Sequence, residues 1–226
     1  MNANHHRSTW LREIVRRSKK HLLLKVVGTT AFMWIFFIGY FHLLRHPAST
    51  VVEMPLLALD RLIGFQPWAL GAYVSLWFYV GIAPGLLLSV RQLLAYASWI
   101  GALCATGLAC FYFWPNAVPP QPGDLGQYPG FGLLQGIDAA GNACPSLHVA
   151  TAVFSAIWLD HLLRDMRTGP LGRAVNWCWV VLIAYSTLAI KQHVTLDVIA
   201  GALLGAVFAL PALRWRPRDP PARHAA

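Results

Sequence analysis

Hydrophobic residues fall in six long blocks along the chain, at about 23–44, 67–90, 92–114, 146–163, 174–191 and 193–211, separated by polar or proline-broken stretches. Each block is continuous instead of alternating with period two, which predicts helices and excludes a closed barrel of membrane strands. Crossing a bilayer core takes about 20 such residues. The pattern therefore predicts an all-α polytopic membrane protein, a six-transmembrane-helix bundle over 23–211. The fourth and fifth blocks are short or polar at one end, as expected where a helix end faces protein and not lipid. Between the first two blocks, "VVEMPLLALDRLIGF" is too charged to span and is predicted to lie as an amphipathic helix on the membrane surface.

The flanks and the longest interruption differ in character. Residues 1–22 are polar and basic, an interfacial segment from which Trp10, Ile14 and Val15 would face lipid. The apolar block behind them is too long for a signal-peptide core and reads as an uncleaved anchor. Residues 115–145 are rich in proline and glycine, carry no lysine or arginine, and predict an ordered but irregular outer loop. Residues 212–226 form a basic, proline-broken tail. Gly201 and Gly205, and Gly81 and Gly85 around Pro84, have the small-residue spacing of close helix packing.

Charge orients the bundle. Of the 18 lysines and arginines, only Arg45, Arg61 and Lys191 fall in the segments opposite the amino terminus, leaving 15 on the other side. By the positive-inside rule both termini are cytoplasmic. The same rule accounts for the net charge of +9, so no nucleic-acid partner is implied. Short loops and the lack of targeting tails point to a bacterial inner membrane, with the opposite face in the periplasm. Cys104, Cys110 and Cys178 lie in apolar runs and Cys144 stands alone, a pattern of buried thiols and not of a disulfide framework or zinc site.

Two polar clusters then stand out, both at outer helix mouths: "CPSLHVATA" and "KQHVTLDVIAG". Asp197 lies one helical turn below His193, where its carboxylate accepts the imidazole N–H and makes the other nitrogen a better base or nucleophile. An ionisable pair in a membrane segment is costly to keep and marks function. Pro145 suits a first helical turn; Ser146 and the free amides of that turn form a phosphate cradle, with His148 placed to protonate a leaving oxygen. Lys191 adds a positive charge near the same anion.

These residues resemble the type-two phosphatidic acid phosphatase superfamily. "PSLH" (Pro145 to His148) is similar to its second signature, Pro-Ser-Gly-His, and "STLAIKQHVTLD" (Ser186 to Asp197) to its third, Ser-Arg-x5-His-x3-Asp. The resemblance implies a six-span fold, a phosphohistidine on His193, orientation of that ring by Asp197, general acid–base work by His148, and no metal or other cofactor. Leu147 stands in the place of the glycine and Thr187 in that of the arginine; Lys191 would supply the missing charge. "PSLH" with that basic residue looks more like the inositol phosphorylceramide synthase branch. In the first signature Gln121 stands where an arginine is expected; it can hydrogen-bond a phosphate but not neutralise it, unless Arg45 or Arg61 reaches in.

The implied activity is a metal-independent lipid phosphatase or phosphotransferase, acting at the outer face on a phosphatidate-type lipid or prenyl pyrophosphate. Three alternatives stay open: a headgroup transferase with a lipid or polyol acceptor; a metal enzyme using the two histidines and the carboxylate as ligands; and a degenerate lipid-binding protein.

Overall fold

In a computed structural model of the chain, residues 3–120, 128 and 141–217 are described, with side chains from residue 10 onward. Among them the fold is helical. It comprises α1 (Ala3–Lys19), α2 (Leu22–Arg45), α3 (Ala58–Leu62), a 3-10 turn (Pro67–Ala69), α4 (Leu70–Val74), α5 (Leu76–Gly85) and α6 (Val90–Phe113). Then follow α7 (Leu147–Asp165), α8 (Gly169–Ala189) and α9 (Thr195–Arg214). Two short strands, β1 (Val52–Glu53) and β2 (Asn116–Ala117), pair in parallel.

Four helices are long and apolar enough to cross a membrane: α2, α6, α8 and α9. They match the first, third, fifth and sixth hydrophobic blocks. The second block is not one helix. It divides into the 3-10 turn, α4 and α5, with Ser75 at the joint and Pro84 inside the last turn of α5. Ser75 Oγ donates to Ala72 O at 2.6 Å and accepts from Trp179 Nε1 at 3.0 Å, which holds the joint against α8. The fourth block forms α7, which is long but ends in the polar run Asp160, His161, Arg164 and Asp165. Twelve of its 19 residues are buried in protein, so its sequence is not shaped by lipid. Asp160 is held there by Arg164 and Arg173, each at 2.7 Å.

The amphipathic surface helix expected after the first block is a different structure. Its beginning pairs as β1 with β2, Val52 opposite Asn116, and only Ala58–Leu62 is helical. Asp60, in the segment expected on the membrane surface, is 7% exposed. Met54 packs with Val118, Ala143, Cys144 and Val194 in a small core of its own. The segment is thus drawn onto the bundle because its acid and its methionine both find buried partners there.

The helix α1 is set against the bundle by Lys25, whose ammonium donates to Arg17 O and Gly85 O, both at 2.7 Å. These are carbonyls at the carboxyl ends of α1 and α5, where a cation is favoured. Ile14 packs on the main core while Val15 stays exposed. On the outer side of α1, hydrogen bonds from Arg16 and then Arg17 hold the Glu13 carboxyl down to about 2.

The central packing is α7 against α8, α9, α5 and α6. Asn142 Nδ2 donates to Tyr40 O at 3.2 Å, so the carboxyl end of α2 and the amino end of α7 share one end of the bundle. Arg45, Arg61 and Lys191 lie at this end. At the other end Gln92 at the start of α6 donates to Pro217 O behind α9.

Candidate active site

The site is built where α7 and α9 cross. At Gly201 a Cβ would stand 2.3 Å from Ser146 O, and at Gly205 2.5 Å from Ala150 O. Real side chains never approach a backbone oxygen so closely, so glycine is required for the two helix backbones to touch. Around Gly81 and Gly85 there is nothing within 4 Å, and the packing role expected for that pair is absent.

Contact at this crossing ties the two polar clusters directly. Ser146 N–H donates to Asp197 O at 3.0 Å. Ser146 is the N-cap of α7, its Oγ accepting from Val149 N at 3.3 Å. Pro145 therefore precedes the helix and does not occupy its first turn; the Cys144–Pro145 peptide is cis. Ser146 is fully buried; its amide ties the two helices together, while its hydroxyl oxygen caps α7 itself. It acts as a cap before it can act on a ligand.

The segment entering α7 is fixed from β2. The Asn116 amide accepts from Cys144 N at 2.7 Å and donates to Cys144 O at 2.9 Å and Trp114 O at 2.8 Å. His148, in the first turn of α7, stacks on Tyr73 of α4 with centroids 4.4 Å apart and 22° between planes, and meets the edge of Trp77 at 5.8 Å. Tyr73 and Trp77 are four residues apart, one helical turn across the Ser75 joint, so both rings bear on one imidazole.

His193 lies in the turn between α8 and α9. Both Gln192 N and His193 N donate to Thr187 O at 3.1 Å, and Lys191 takes a left-handed φ of 62°. Asp197 is fully buried; its Oδ2 accepts from Val194 N at 2.9 Å and lies 3.5 Å from His193 Nδ1. That separation is a long contact of the kind that tightens in a substrate complex. With Nδ1 turned to the carboxylate, Nε2 is the nitrogen left for chemistry. The rings of His148 and His193 stand 5.9 Å apart, 58° between planes. Three of the residues singled out in the sequence thus converge, His148 from α7, Asp197 from α9 and His193 from the turn before α9.

Lys191 is placed otherwise than expected. Its ammonium donates to Asp60 O at 2.9 Å and to Ile63 O, spending two of its three protons on the carbonyls of α3. Gln121 lies outside the described residues. Burial, and then the charge of Asp197, push the Cys144 thiol up to about 12. Among the described residues no three His, Cys, Asp or Glu side chains are grouped to hold a metal ion.

Sequence reasoning passed over Asn116, Tyr73, Trp77 and Asp60. Asn116 and Asp60 carried a readable signal, a polar residue inside a proline-framed or apolar stretch. The two aromatics had none, being indistinguishable from lipid-facing residues.

Beside His148 a cavity of about 550 Å³ opens into the bundle. Its walls are apolar side chains of α2, α4, α5 and α6, including Phe36, Trp77 and Ile100. On α2 it extends from Leu24 to Phe41, about 26 Å of helix at 1.5 Å per residue, most of the depth of a bilayer core.

Two histidines and a buried carboxylate thus lie together at one end of an apolar helical bundle. A family model of the PAP2 superfamily matches residues 93–220, more than half of the chain, and the chain belongs to that superfamily. No curated protein matches it. No solved structure matches it.

Proposed function

We propose that the protein transfers or hydrolyses a phosphoryl group of a lipid through a phosphohistidine on His193. The observation that carries this reading is the approach of His148 and His193 to 5.9 Å with Asp197 behind the second ring. His193 Nε2 attacks phosphorus and forms an N–P bond as the P–O bond to the leaving group breaks. The leaving oxygen takes its proton from His148. An acceptor hydroxyl then gives its proton to His148 and attacks phosphorus, releasing His193. Water as acceptor makes a phosphatase; an alcohol makes a transferase. In either half, Asp197 holds the His193 ring with Nδ1–H toward it.

The apolar cavity supports a lipid substrate, since a tail seated there would present its headgroup to His148. In this reading α5 with α4, and α7, complete six crossings around the four apolar helices. The histidine end faces the periplasm of a bacterial inner membrane, and the basic end faces the cytoplasm.

A headgroup transferase of the inositol phosphorylceramide synthase type, with a lipid or polyol hydroxyl as acceptor, fits the same geometry.

The test is phosphate or headgroup release by purified protein in detergent with EDTA present, from phosphatidate, prenyl pyrophosphate and a phosphodiester lipid with an alcohol acceptor. Turnover by the wild type that survives EDTA and is lost in His193→Ala supports the reading. Turnover abolished by EDTA, or retained in His193→Ala, overturns it.

A further inference from the structure

The turn that carries His193 is gripped at both of its ends by one residue 133 positions earlier in the chain, Asp60. Downstream, Asp60 Oδ1 accepts from Thr195 N at 2.7 Å and from Thr195 Oγ1 at 2.6 Å. Upstream, the Lys191 ammonium donates to the carbonyls of Asp60 and Ile63. Asp60 Oδ2 accepts from Leu57 N at 2.8 Å, which locks the carboxylate to its own short helix. His193 is the midpoint between Lys191 and Thr195.

The need for such a grip is written in α9. Its N-cap is Val194, which has no side-chain acceptor for the free amides of the first turn. Asp197 reaches back to the Val194 amide, and Asp60 supplies an acceptor for the Thr195 amide from another element at the positive end of the helix dipole. A side chain at the N-cap position reaches the second or third amide of a helix and not the first, so the Thr195 amide is left to α3. Capping from α3 makes the direction of the α9 entry, and hence of the His193 ring, depend on where α3 sits. A reacting group displaced by about 1 Å loses up to roughly a hundredfold in rate.

We propose that Asp60 is a positioning residue for His193, with Thr195 and Lys191 as its two contacts on the turn. The effect on rate rests on His193 being the attacking group; the effect on orientation does not. Asp60 does not touch the reacting atoms. It removes the freedom of the turn to swing His193 away from Asp197 and from His148.

The experiment uses the full chain in detergent with ring-15N histidine, the His193 signals being assigned by their loss in His193→Ala. Wild type is compared with Asp60→Asn, Thr195→Val and Lys191→Met, each checked for folding by its melting temperature. Asp60→Asn is expected to shift His193 from a predominantly Nδ1–H tautomer toward a mixture, and Thr195→Val to do so to a smaller extent. In parallel, kcat is expected to fall roughly tenfold to a hundredfold at unchanged KM. His193 signals that coincide with wild type in folded Asp60→Asn overturn the proposal. If that variant does not fold, unchanged signals in Thr195→Val and Lys191→Met overturn it equally. A wild type without His193-dependent turnover, but with the tautomer shift present, overturns the phosphoryl-transfer reading and leaves the positioning role standing.

Discussion

Gly201 of α9 rests on the carbonyl oxygen of Ser146, so that a single added carbon would lie 2.3 Å from it. This contact sets the distance between α7, which carries His148, and α9, which carries Asp197 and follows the His193 turn. Backbone on both sides leaves nothing that can rotate away. Gly201→Ala is therefore expected to destabilise by about 1–3 kcal/mol, although alanine is the better helix former by about 1 kcal/mol. Turnover should fall further than stability. Gly81→Ala, with nothing within 4 Å of its Cβ, is expected to be neutral or stabilising by up to about 1 kcal/mol. Melting temperatures of the two variants side by side check this.

Asn116 is the second constraint on the mouth of α7. Its amide makes three hydrogen bonds, two of them to Cys144, while 1% exposed. Asn116→Asp removes both donors and sets a carboxylate against two carbonyl oxygens, and is expected to cost about 2–3 kcal/mol or more. Asn116→Ala is expected to cost about 1–3 kcal/mol by leaving the Cys144 backbone groups unpaired. Thermal unfolding in detergent, with turnover measured on the folded fraction, separates loss of fold from loss of geometry.

Tyr73 supplies the face on which His148 lies. An aromatic contact of this kind is worth about 0.5–1.5 kcal/mol beyond area burial. Tyr73→Leu is expected to lower kcat by up to roughly tenfold through loss of the fixed ring orientation. Tyr73→Phe retains the stack and is expected to keep most of the activity. Equal rates for Leu and Phe at this position would remove the stack from the account.

The Cys144 thiol can be read by alkylation. Burial, then the Asp197 charge, raise it to about 12. At pH 8 its thiolate fraction is negligible, so iodoacetamide is expected to spare Cys144 in the folded protein and to label it once the chain is unfolded. A raised thiol value contributes stability that is intact below the ordinary value of 9.0 and is lost as pH rises from there through about 12. Mass spectrometry of labelled peptides across pH 8 to 11 checks both statements.

Much of this protein was legible without coordinates. The apolar blocks at 23–44, 92–114, 174–191 and 193–211 became α2, α6, α8 and α9 within a few residues, because continuous apolar runs of that length satisfy their backbone only as helices. His193 and Asp197 came together because four residues is a local spacing, readable in one dimension, although His193 lies in the turn before α9 and not on its face. The resemblance to the superfamily was readable from the same short motifs, and the family model over residues 93–220 bears it out.

What tertiary structure alone decided has one physical cause: hydrogen bonds and packing between residues far apart in the chain. The block at 67–90 put Tyr73 and Trp77 one turn apart, but only the packing of that segment, bonded to α8 through Ser75, decided that they face His148. Lys191 had the charge and position of a phosphate ligand, and its ammonium went to the carbonyls of α3. Asp60 had the look of a surface acid, and it caps a helix that begins 135 residues later. Hydrophobic periodicity encodes where a chain is buried; the partner of a buried polar atom is decided only by what the fold brings within 3 Å of it.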